Sequence, residues 1–369
     1  MRLQRITYEN FRNHRLLSFE PLPGINLLYG PNGSGKTSVL EGIHFCALTK
    51  GFVSAADSEC LMFSQDYFLL NGLFIDEGES NITVKIAFTK EKEKQIIVNN
   101  SEIKPFSRHI GRVPCITFSP HEIVIVNGAP GERRRFIDNA ISQTDRRYLD
   151  DLLAYRRVLQ QRNAILVQLY EQGRPQNDML SLWTEQLSRL ASSIVHARIK
   201  FAALFFIHFK ELYSRLSVNE NPSLLYRCSL GNFKADTTLE ELYLLFIEKF
   251  KEIEKQEILR TQTMIGPHRD DLVFLLNGKE IKKYASQGQM RTFLICLKLS
   301  QHRFFSEILG EKPLSLLDDV FSELDCRRTA DILNILETFG QTIITSTEIK
   351  EQTNINALSI ETLKPLSAK

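Results

Sequence analysis

The sequence predicts an α/β fold: a mixed β-sheet with flanking helices, an antiparallel β-subdomain near the N-terminus, and a helical arm inserted in the middle of the chain. Three observations predict it. A glycine-rich loop separates an apolar run from a helix near residue 30, and short β-like runs fill residues 1 to about 120. Helical periodicity replaces them from about residue 131, and strand–helix alternation returns after residue 259.

The glycine-rich loop at 30–37 reads GPNGSGKT, a complete phosphate-binding P-loop. It follows the apolar run INLLY and continues into a helical run, so strand, loop and helix occur in the required order. Glycine lets successive N–H groups turn toward one anion, and the helix N-terminus adds a positive dipole end. These features favour a nucleoside triphosphate site over a glycine-rich turn with an incidental lysine. The residues predicted to bind the nucleotide here are Gly30, Pro31, Asn32, Gly33, Ser34, Gly35, Lys36, Thr37 and Ser38.

The predicted chemistry of this loop requires Mg²⁺ and an acidic partner. Lys36 is expected to reach the outer phosphates, and the Thr37 hydroxyl to ligate Mg²⁺. Residues 313–317 read PLSLL and lead directly into Asp318 and Asp319, as a buried strand delivering carboxylates would. We assign Asp318 to Mg²⁺, directly or through water, and Asp319 to polarising the attacking water. A solvated strand end is the alternative, and the intact P-loop upstream favours the catalytic interpretation.

A second predicted anion site lies between these two halves. Residues 286–291 read SQGQMR and precede apolar residues at helical spacing from 292 to 305. A serine before a glycine at a helix start leaves unpaired N–H groups and a free hydroxyl. Because the P-loop encloses one side of a triphosphate, this second site is expected to approach from the other side, most simply from another subunit.

The motifs together resemble a known family. The P-loop, SQGQ, LLDDVFSELD at 316–325 and a strand at 341–345 resemble ABC-type ATPases, in which the signature sequence of one protomer closes on the P-loop of the other. More narrowly, the chain is similar to the RecF family of bacterial recombination proteins, with an ATPase head of the ABC and SMC type, over nearly its whole length. The further supporting strings are NFRNH at 10–14, PGERRRFID at 130–138, QRNA at 161–164 and GPHRDD at 266–271.

The resemblance implies a slow, DNA-stimulated ATPase that uses ATP and Mg²⁺. It implies an ATP-dependent homodimer that binds double-stranded DNA and single-strand gap junctions, and that helps RecO and RecR load the RecA recombinase. Position by position, it implies that Arg12 approaches the nucleotide and that Ser286, Gly288 and Gln289 close on the γ-phosphate in the partner's site. The SELD string at 322–325 matches the D-loop.

Three positions depart from the wider ABC pattern. Asp319 stands where a glutamate is usual, and its shorter side chain predicts slow turnover. No glutamine occurs at 118–120, where ABC proteins place a magnesium-contacting residue. The switch histidine after the 341–344 strand is replaced by hydroxyl residues, so Thr345 or Thr347 is the predicted γ-phosphate sensor.

Composition agrees with a cytoplasmic, nucleotide-driven protein. The 369 residues, 43% of them hydrophobic, allow two or three domains, and a net charge of +2 is too small to indicate nucleic acid. Six cysteines form no CxxC pair, so neither a zinc site nor a disulfide framework is predicted. The most apolar stretch, 201–209, is far shorter than the roughly twenty residues of a membrane span, so no membrane association is expected. An SMC-like structural DNA clamp and, less favoured, an ABC transporter ATPase subunit are the alternative functions.

The predicted domains are 1–125, the part of the head with the P-loop; 126–259, the helical arm; and 260–369, the part with the signature, acidic strand and D-loop. Segments 146–171 and 178–216 predict an antiparallel helical pair within the arm. The resemblance favours a DNA surface over a solvated helix face for the arm's basic residues, while His268 and Arg269 are equally consistent with a structural hub and with a ligand-binding role. Those basic residues are Arg133, Arg134, Arg135, Arg146, Arg147, Arg156, Arg157, Arg162, Arg198, Lys200, Lys210 and Arg215.

Overall fold

The structure, a computed structural model, describes residues 1–53, 56–173, 178–217, 219–231, 233, 236–321, 326–347 and 355–363. Its internal contacts divide the chain into two units, which we call the head unit (1–123 and 295–369) and the inserted unit (124–294). The strands are β1 Arg2–Phe11, β2 His14–Phe19, β3 Ile25–Tyr29, β4 Tyr67–Ile75, β5 Asn81–Thr89, β6 Lys94–Val98, β7 Ser101–Glu102, β8 Cys115–Phe118, β9 Pro222–Arg227, β10 Asp271–Leu276, β11 Lys279–Glu280, β12 Leu314–Leu317, β13 Thr342–Ser346 and β14 Ile355–Ser359. The helices are α1 Lys36–Leu48, α2 Val124–Asn127, α3 Pro130–Thr144, α4 Arg146–Gln172, α5 Asp178–Leu216, α6 Leu239–Arg260, α7 Ile281–Tyr284, α8 Gln287–Leu309 and α9 Cys326–Glu337.

The core of the head unit is a parallel sheet in the order β14-β3-β13-β12-β8. Strands β3 and β12 are almost entirely buried and read as short apolar runs, because strands of a parallel sheet are covered on both faces. Since these strands run in the same direction, their C-terminal ends meet at one edge. The segments that follow β3, β13, β12 and β8 therefore lie side by side along that edge.

A separate antiparallel sheet, in the order β2-β1-β4-β5-β6-β7, completes the head unit. Its strand β4 alternates exposed and buried residues, as a strand with one covered face does. Helix α1 contacts strands of both sheets. Phe11, Phe45 and Phe68 pack edge to face in this core, with centroids 5.1 to 6.2 Å apart. The predicted α/β fold class is confirmed. The antiparallel sheet corresponds to the predicted N-terminal subdomain, whereas the central sheet, expected to be mixed, has only parallel pairings among the described residues.

The inserted unit is mainly helical. Two hydrogen bonds show that helices α4 and α5 run antiparallel. Near the start of α4, Asp151 accepts a hydrogen bond from Ser193 of α5. Farther along α4, Arg162 donates one to Thr184, which lies closer to the start of α5. Strand β9 interrupts the region predicted to be wholly helical, and it pairs with β10. This pairing joins residues 260–294 to the inserted unit by contact, although the predicted domain boundary places them with the head. The functional domain boundaries stay a prediction.

Three of the family strings converge on a buried polar cluster in the inserted unit. From PGERRRFID, Arg133 forms a double ion pair with Asp271, at 2.7 and 2.9 Å. From QRNA, the buried Arg162 pairs with the buried Glu257. From GPHRDD, the His268 ring lies 2.6 Å from the Tyr155 hydroxyl. The structural-hub interpretation of His268 therefore agrees with its contacts.

One helix among the described residues, α5, is long and apolar enough to cross a membrane by length and composition. The apolar stretch 201–209 covers only part of this helix. Its side chains pack within the inserted unit, where Phe205, Phe209 and Leu212 are fully buried. The buried Arg198 on the same helix pairs with Asp138 at 2.7 Å. These contacts are typical of the core helix of a folded domain.

Candidate nucleotide-binding site

The P-loop connects β3 to α1 as predicted. Gly33 and Gly35 have φ angles of 78° and 96°, which favour glycine. A Cβ at Gly35 would also lie 2.5 Å from the Asn13 side chain. The Lys36 ammonium donates hydrogen bonds to the carbonyl oxygens of Gly30 and Pro31, both at 2.8 Å. These two hydrogen bonds hold the lysine against the P-loop.

The acidic pair, Asp318 and Asp319, follows β12. In the sheet, β13 lies between β12 and β3. The hydroxyls of Thr37 and Thr345 donate to the same Asp318 oxygen, at 2.8 and 2.7 Å. Asp318 is only 8% exposed, so these two donors satisfy a buried carboxylate. Asp319 adopts a φ of 48°, uncommon for a residue with a side chain, and its N–H donates to the Thr345 hydroxyl at 3.1 Å. The tertiary structure therefore joins the two halves of the predicted site.

These residues line a cavity of about 620 Å³ in the head unit, a size common among ligand sites. Of the predicted residues, the lining includes Arg12, Asn32, Gly33, Gly35, Lys36, Thr37, Ser38, Asp318, Asp319, Thr345 and Thr347. Gly30 and Pro31 contribute through the Lys36 contacts. The Ser34 hydroxyl oxygen is buried and has no hydrogen-bond partner among the described residues. An unpaired buried hydroxyl is costly and consistent with a polar ligand.

Charge at the cavity suits a triphosphate with a hard cation. Burial lowers the pKa of the Lys36 ammonium below its ordinary value, and the carboxylates of Asp319 and Asp318 oppose that shift. The Thr37 hydroxyl and Asp318 carboxylate supply oxygen donors, which Mg²⁺ prefers. A cationic lysine, backbone N–H groups and an acidic oxygen pair are therefore grouped at one edge of the sheet.

Arg12 lies in the cavity wall with its guanidinium already paired. It donates to both carboxylate oxygens of Glu41, at 2.7 and 3.1 Å, and to the Glu59 carbonyl at 2.9 Å. Glu41 belongs to α1 and is buried. Two-point pairing with a buried carboxylate fixes the plane of the guanidinium.

The signature sequence begins α8. Ser286 accepts a hydrogen bond from the Gln289 N–H at 3.2 Å, and the Gln289 side chain accepts one from the Ser286 N–H at 2.8 Å, a reciprocal cap. Gln289 also donates to Glu220 at 2.7 Å. Ser286 and Gly288 are exposed, and a Cβ added at Gly288 would meet no atom within 4 Å. The surface at this helix start is open.

The arm's basic residues divide into two groups, apart from Arg134, which is partly buried and donates to the Asp270 carbonyl at 2.8 Å. Arg133, Arg162 and Arg198 are at most 3% exposed and pair with carboxylates inside the inserted unit. These three do not present charge to a ligand, so their place in the predicted DNA surface is wrong. The others with exposed side chains are Arg135, Arg146, Arg147, Arg156, Arg157, Lys200, Lys210 and Arg215.

Several residues that line the cavity were not predicted from the sequence. Asn13, Glu59, Leu61, Pro120 and His121 line the cavity without having been predicted. Asn13 belongs to NFRNH, and Pro120 to the segment searched for a glutamine, so both carried a usable signal. Of the two predicted sensors, Thr345 is buried and bonded to the acidic pair, whereas Thr347 is exposed. The predicted D-loop at 322–325 lies outside the described residues.

The chain is similar to known proteins over nearly its whole length. Residues 5–354 match a family model described as an AAA domain. The chain is 54% identical over 363 residues to the DNA replication and repair protein RecF of Chlorobium luteolum, covering 98% of each sequence. It is 56% identical over 350 residues to the RecF protein of Chlorobium phaeovibrioides, covering 95% of this chain and 94% of the relative.

The chain is also similar to solved structures. The recombination mediator protein RecF-ATP in the RecFOR pathway superposes with a TM-score of 0.88 at 32% identity, covering 95% of this chain and 93% of that one. The head of an Smc protein bound to the C-winged helix domain of ScpA has a TM-score of 0.54 at 13% identity over 94% of this chain and 90% of that one, which shows a shared fold alone. With more than half of its residues identical to RecF proteins across nearly their full lengths, the chain belongs to the RecF family.

Proposed function

We propose that this chain is an ATP-binding ATPase of DNA replication and recombinational repair, in which ATP closes a homodimer on DNA and hydrolysis opens it. The observation that carries the proposal is the Thr37–Asp318 contact, which joins an intact P-loop to an acidic strand end. The relatives described above are named as DNA replication and repair proteins, which supports the process. The ATP-bound relative supports the nucleotide.

Each residue of the site has a chemical role in this scheme. Lys36 and the loop N–H groups hold the outer phosphates, and Thr37 with Asp318 holds Mg²⁺, which would neutralise charge on those phosphates. Asp319 orients and polarises the attacking water. An aspartate at this position reaches less far than a glutamate, which supports slow turnover.

Dimer closure follows from the separate surfaces of the site. The P-loop surrounds one side of a triphosphate, and the exposed start of α8 offers the Gly288 N–H and the Ser286 hydroxyl. A second protomer that supplies these groups to the γ-phosphate makes contacts that the open state lacks. ATP therefore favours the closed dimer, and loss of the γ-phosphate removes the link between protomers.

The proposed partners are double-stranded DNA, single-strand gap junctions, RecO and RecR, with loading of RecA as the outcome. The structural relative is named as a recombination mediator in the RecFOR pathway, which supports the two protein partners. DNA stimulation of ATP turnover follows if the closed dimer is the form that binds DNA. The cytoplasm is the proposed location.

Light scattering with and without ATP tests the gating scheme. Wild-type protein should dimerise with ATP, whereas Lys36→Ala should stay monomeric at every ATP concentration, because the triphosphate loses its main cationic contact. Lys85→Ala removes an exposed lysine of β5 and serves as the control. A Lys36→Ala protein that dimerises with ATP like wild type would reject the bridging role.

Gel-shift and ATPase assays, each with and without DNA, separate the alternatives. The proposal requires ATP-dependent DNA binding together with turnover. DNA binding that needs ATP but no turnover would support a structural clamp. ATP turnover without DNA binding would instead support a transporter-type subunit.

A further inference from the structure

We propose that His121 contacts the terminal phosphate of the bound nucleotide, at the edge where ABC-type ATPases use a glutamine. The assignment rests on the proposed ATPase function and deepens it. His121 lines the cavity and its side chain is exposed there.

The order of the strands places His121 at the catalytic end of the cavity. Four adjacent strands, β3, β13, β12 and β8, deliver the P-loop, Thr347, the acidic pair and His121 in that order. Phe118 of β8 lies opposite Leu317 of β12, and its carbonyl accepts a hydrogen bond from the Asp318 N–H at 2.8 Å. His121 therefore follows the strand beside the acidic pair, on the side away from the P-loop strand.

A partly buried ion pair holds the segment that carries His121. The next residue, Glu122, accepts a hydrogen bond from the Ser119 N–H at 3.0 Å and pairs with Lys298 of α8. Lys298 is 8% exposed. One carboxylate thus ties the turn to itself and to the part of α8 that belongs to the head unit. Such anchoring limits the positions that the neighbouring imidazole can take.

The chemistry of this edge calls for an additional donor. The Thr345 hydroxyl is already used, since it donates to Asp318 and accepts from the Asp319 N–H. The carboxylates of Asp318 and Asp319 accept hydrogen bonds but, when ionised, donate none. An imidazole N–H can donate to a negatively charged phosphate oxygen, and a glutamine amide can do the same. His121 therefore supplies a phosphate donor at this edge, while the magnesium contact that ABC proteins place here stays unassigned.

Two variants test the contact by separating binding from turnover. His121→Ala should lower kcat on the order of 10- to 100-fold, the range for residues that support a reacting centre, while the ATP dissociation constant measured with a fluorescent analogue changes little. His121→Gln should recover most of the lost turnover, because it restores a donor. His196→Gln changes a histidine of α5 that does not line the cavity and serves as the matched control.

A second measurement does not depend on activity. The imidazole signal of His121, identified by its absence from the spectrum of His121→Gln, should shift when the imido analogue of ATP binds with Mg²⁺. It should not shift with AMP, which lacks the outer phosphates. If wild-type protein binds the analogue and dimerises, yet the signal stays fixed or His121→Ala turns over like wild type, the assignment is overturned while the proposed function stands. If wild-type protein fails to bind the analogue, both are overturned.

Discussion

The hydroxyl of Thr37 donates a 2.8 Å hydrogen bond to the carboxylate of Asp318, although 281 positions separate the two residues in the chain. The contact runs from the start of α1, which follows β3 and the P-loop, to the end of β12, and β13 lies between these two strands. Thr345 at the end of β13 donates to the same carboxylate oxygen. These hydrogen bonds therefore link the two halves of the site.

Asp318→Asn should abolish magnesium-dependent ATP turnover, with a loss of about a hundredfold or more. The amide keeps the shape of the side chain and removes the charge expected to face Mg²⁺. ATPase rates at saturating ATP measure the loss, and the rise of Tm with ATP and Mg²⁺ should also shrink. Asp236→Asn, at an exposed site in the inserted unit, provides the control. Turnover equal to wild type would remove Asp318 from the metal site.

Asp319→Asn should block hydrolysis while sparing ATP binding. The expected loss of turnover is on the order of 10²- to 10⁴-fold, the contribution of a positioned base. Because hydrolysis opens the dimer, the variant should remain dimeric long after ATP is added, whereas wild-type protein returns to monomer. A size-exclusion time course follows this difference. A variant that reopens at the wild-type rate would contradict the role of Asp319.

Gly288→Ala should leave the fold intact and prevent ATP-dependent dimerisation. Its Cβ meets no atom within 4 Å, so the unfolding free energy should hardly change. The added methyl group would instead occupy the open surface through which a partner's phosphate approaches. Light scattering with ATP reads out dimerisation. Gly42→Ala is the control for a glycine substitution that does disturb the fold. Its Cβ would lie 2.2 Å from the Tyr8 ring, which predicts a loss of about 1–3 kcal/mol in stability.

DNA binding should depend on exposed rather than buried basic residues. Lys200→Ala with Lys210→Ala removes two exposed charges from α5. If both contact phosphates, the slope of log affinity against log salt should become shallower by about 0.9 for each. Lys85→Ala, at an exposed lysine of β5 outside the predicted DNA surface, is the control. An unchanged slope would move the DNA surface elsewhere.

Replacing a buried arginine should lower the stability of the protein rather than its affinity for DNA. Arg162→Met leaves Glu257 buried without its ionic partner. The unfolding free energy should fall by about 3–5 kcal/mol, the cost of breaking a buried pair. Denaturant titration measures this loss. An Arg162→Met protein as stable as wild type but deficient in DNA binding would return Arg162 to the binding surface.

Acid should destabilise the inserted unit through His268. Burial lowers the pKa of His268 to about 4, below its ordinary value of about 6.5. The unfolded chain therefore takes up a proton before the folded one does, so this stability is complete above about pH 6.5 and is lost as pH falls toward 4. In His268→Gln, the slope of unfolding free energy against pH should be smaller across this window by up to about 1.4 kcal/mol per unit. A slope identical to that of the wild-type protein would show that His268 does not cause the loss of stability in acid.

The sequence by itself determined the features that depend on neighbouring residues. The P-loop, strand β3 and the full extent of α5 at 178–216 were predicted with the bounds that the structure has. Apolar periodicity, glycine-rich loops and turn residues act over a few positions, so a single sequence displays them.

Only the tertiary structure decided which distant residues meet. It joined Thr37 to Asp318, paired β9 with β10, and brought His121 to the cavity. It also showed that the charges of Arg133, Arg162 and Arg198 are enclosed rather than exposed. A run of basic residues looks the same in sequence whether it faces solvent or a buried carboxylate. The physical reason is that burial and ion pairing depend on contacts between segments far apart in the chain.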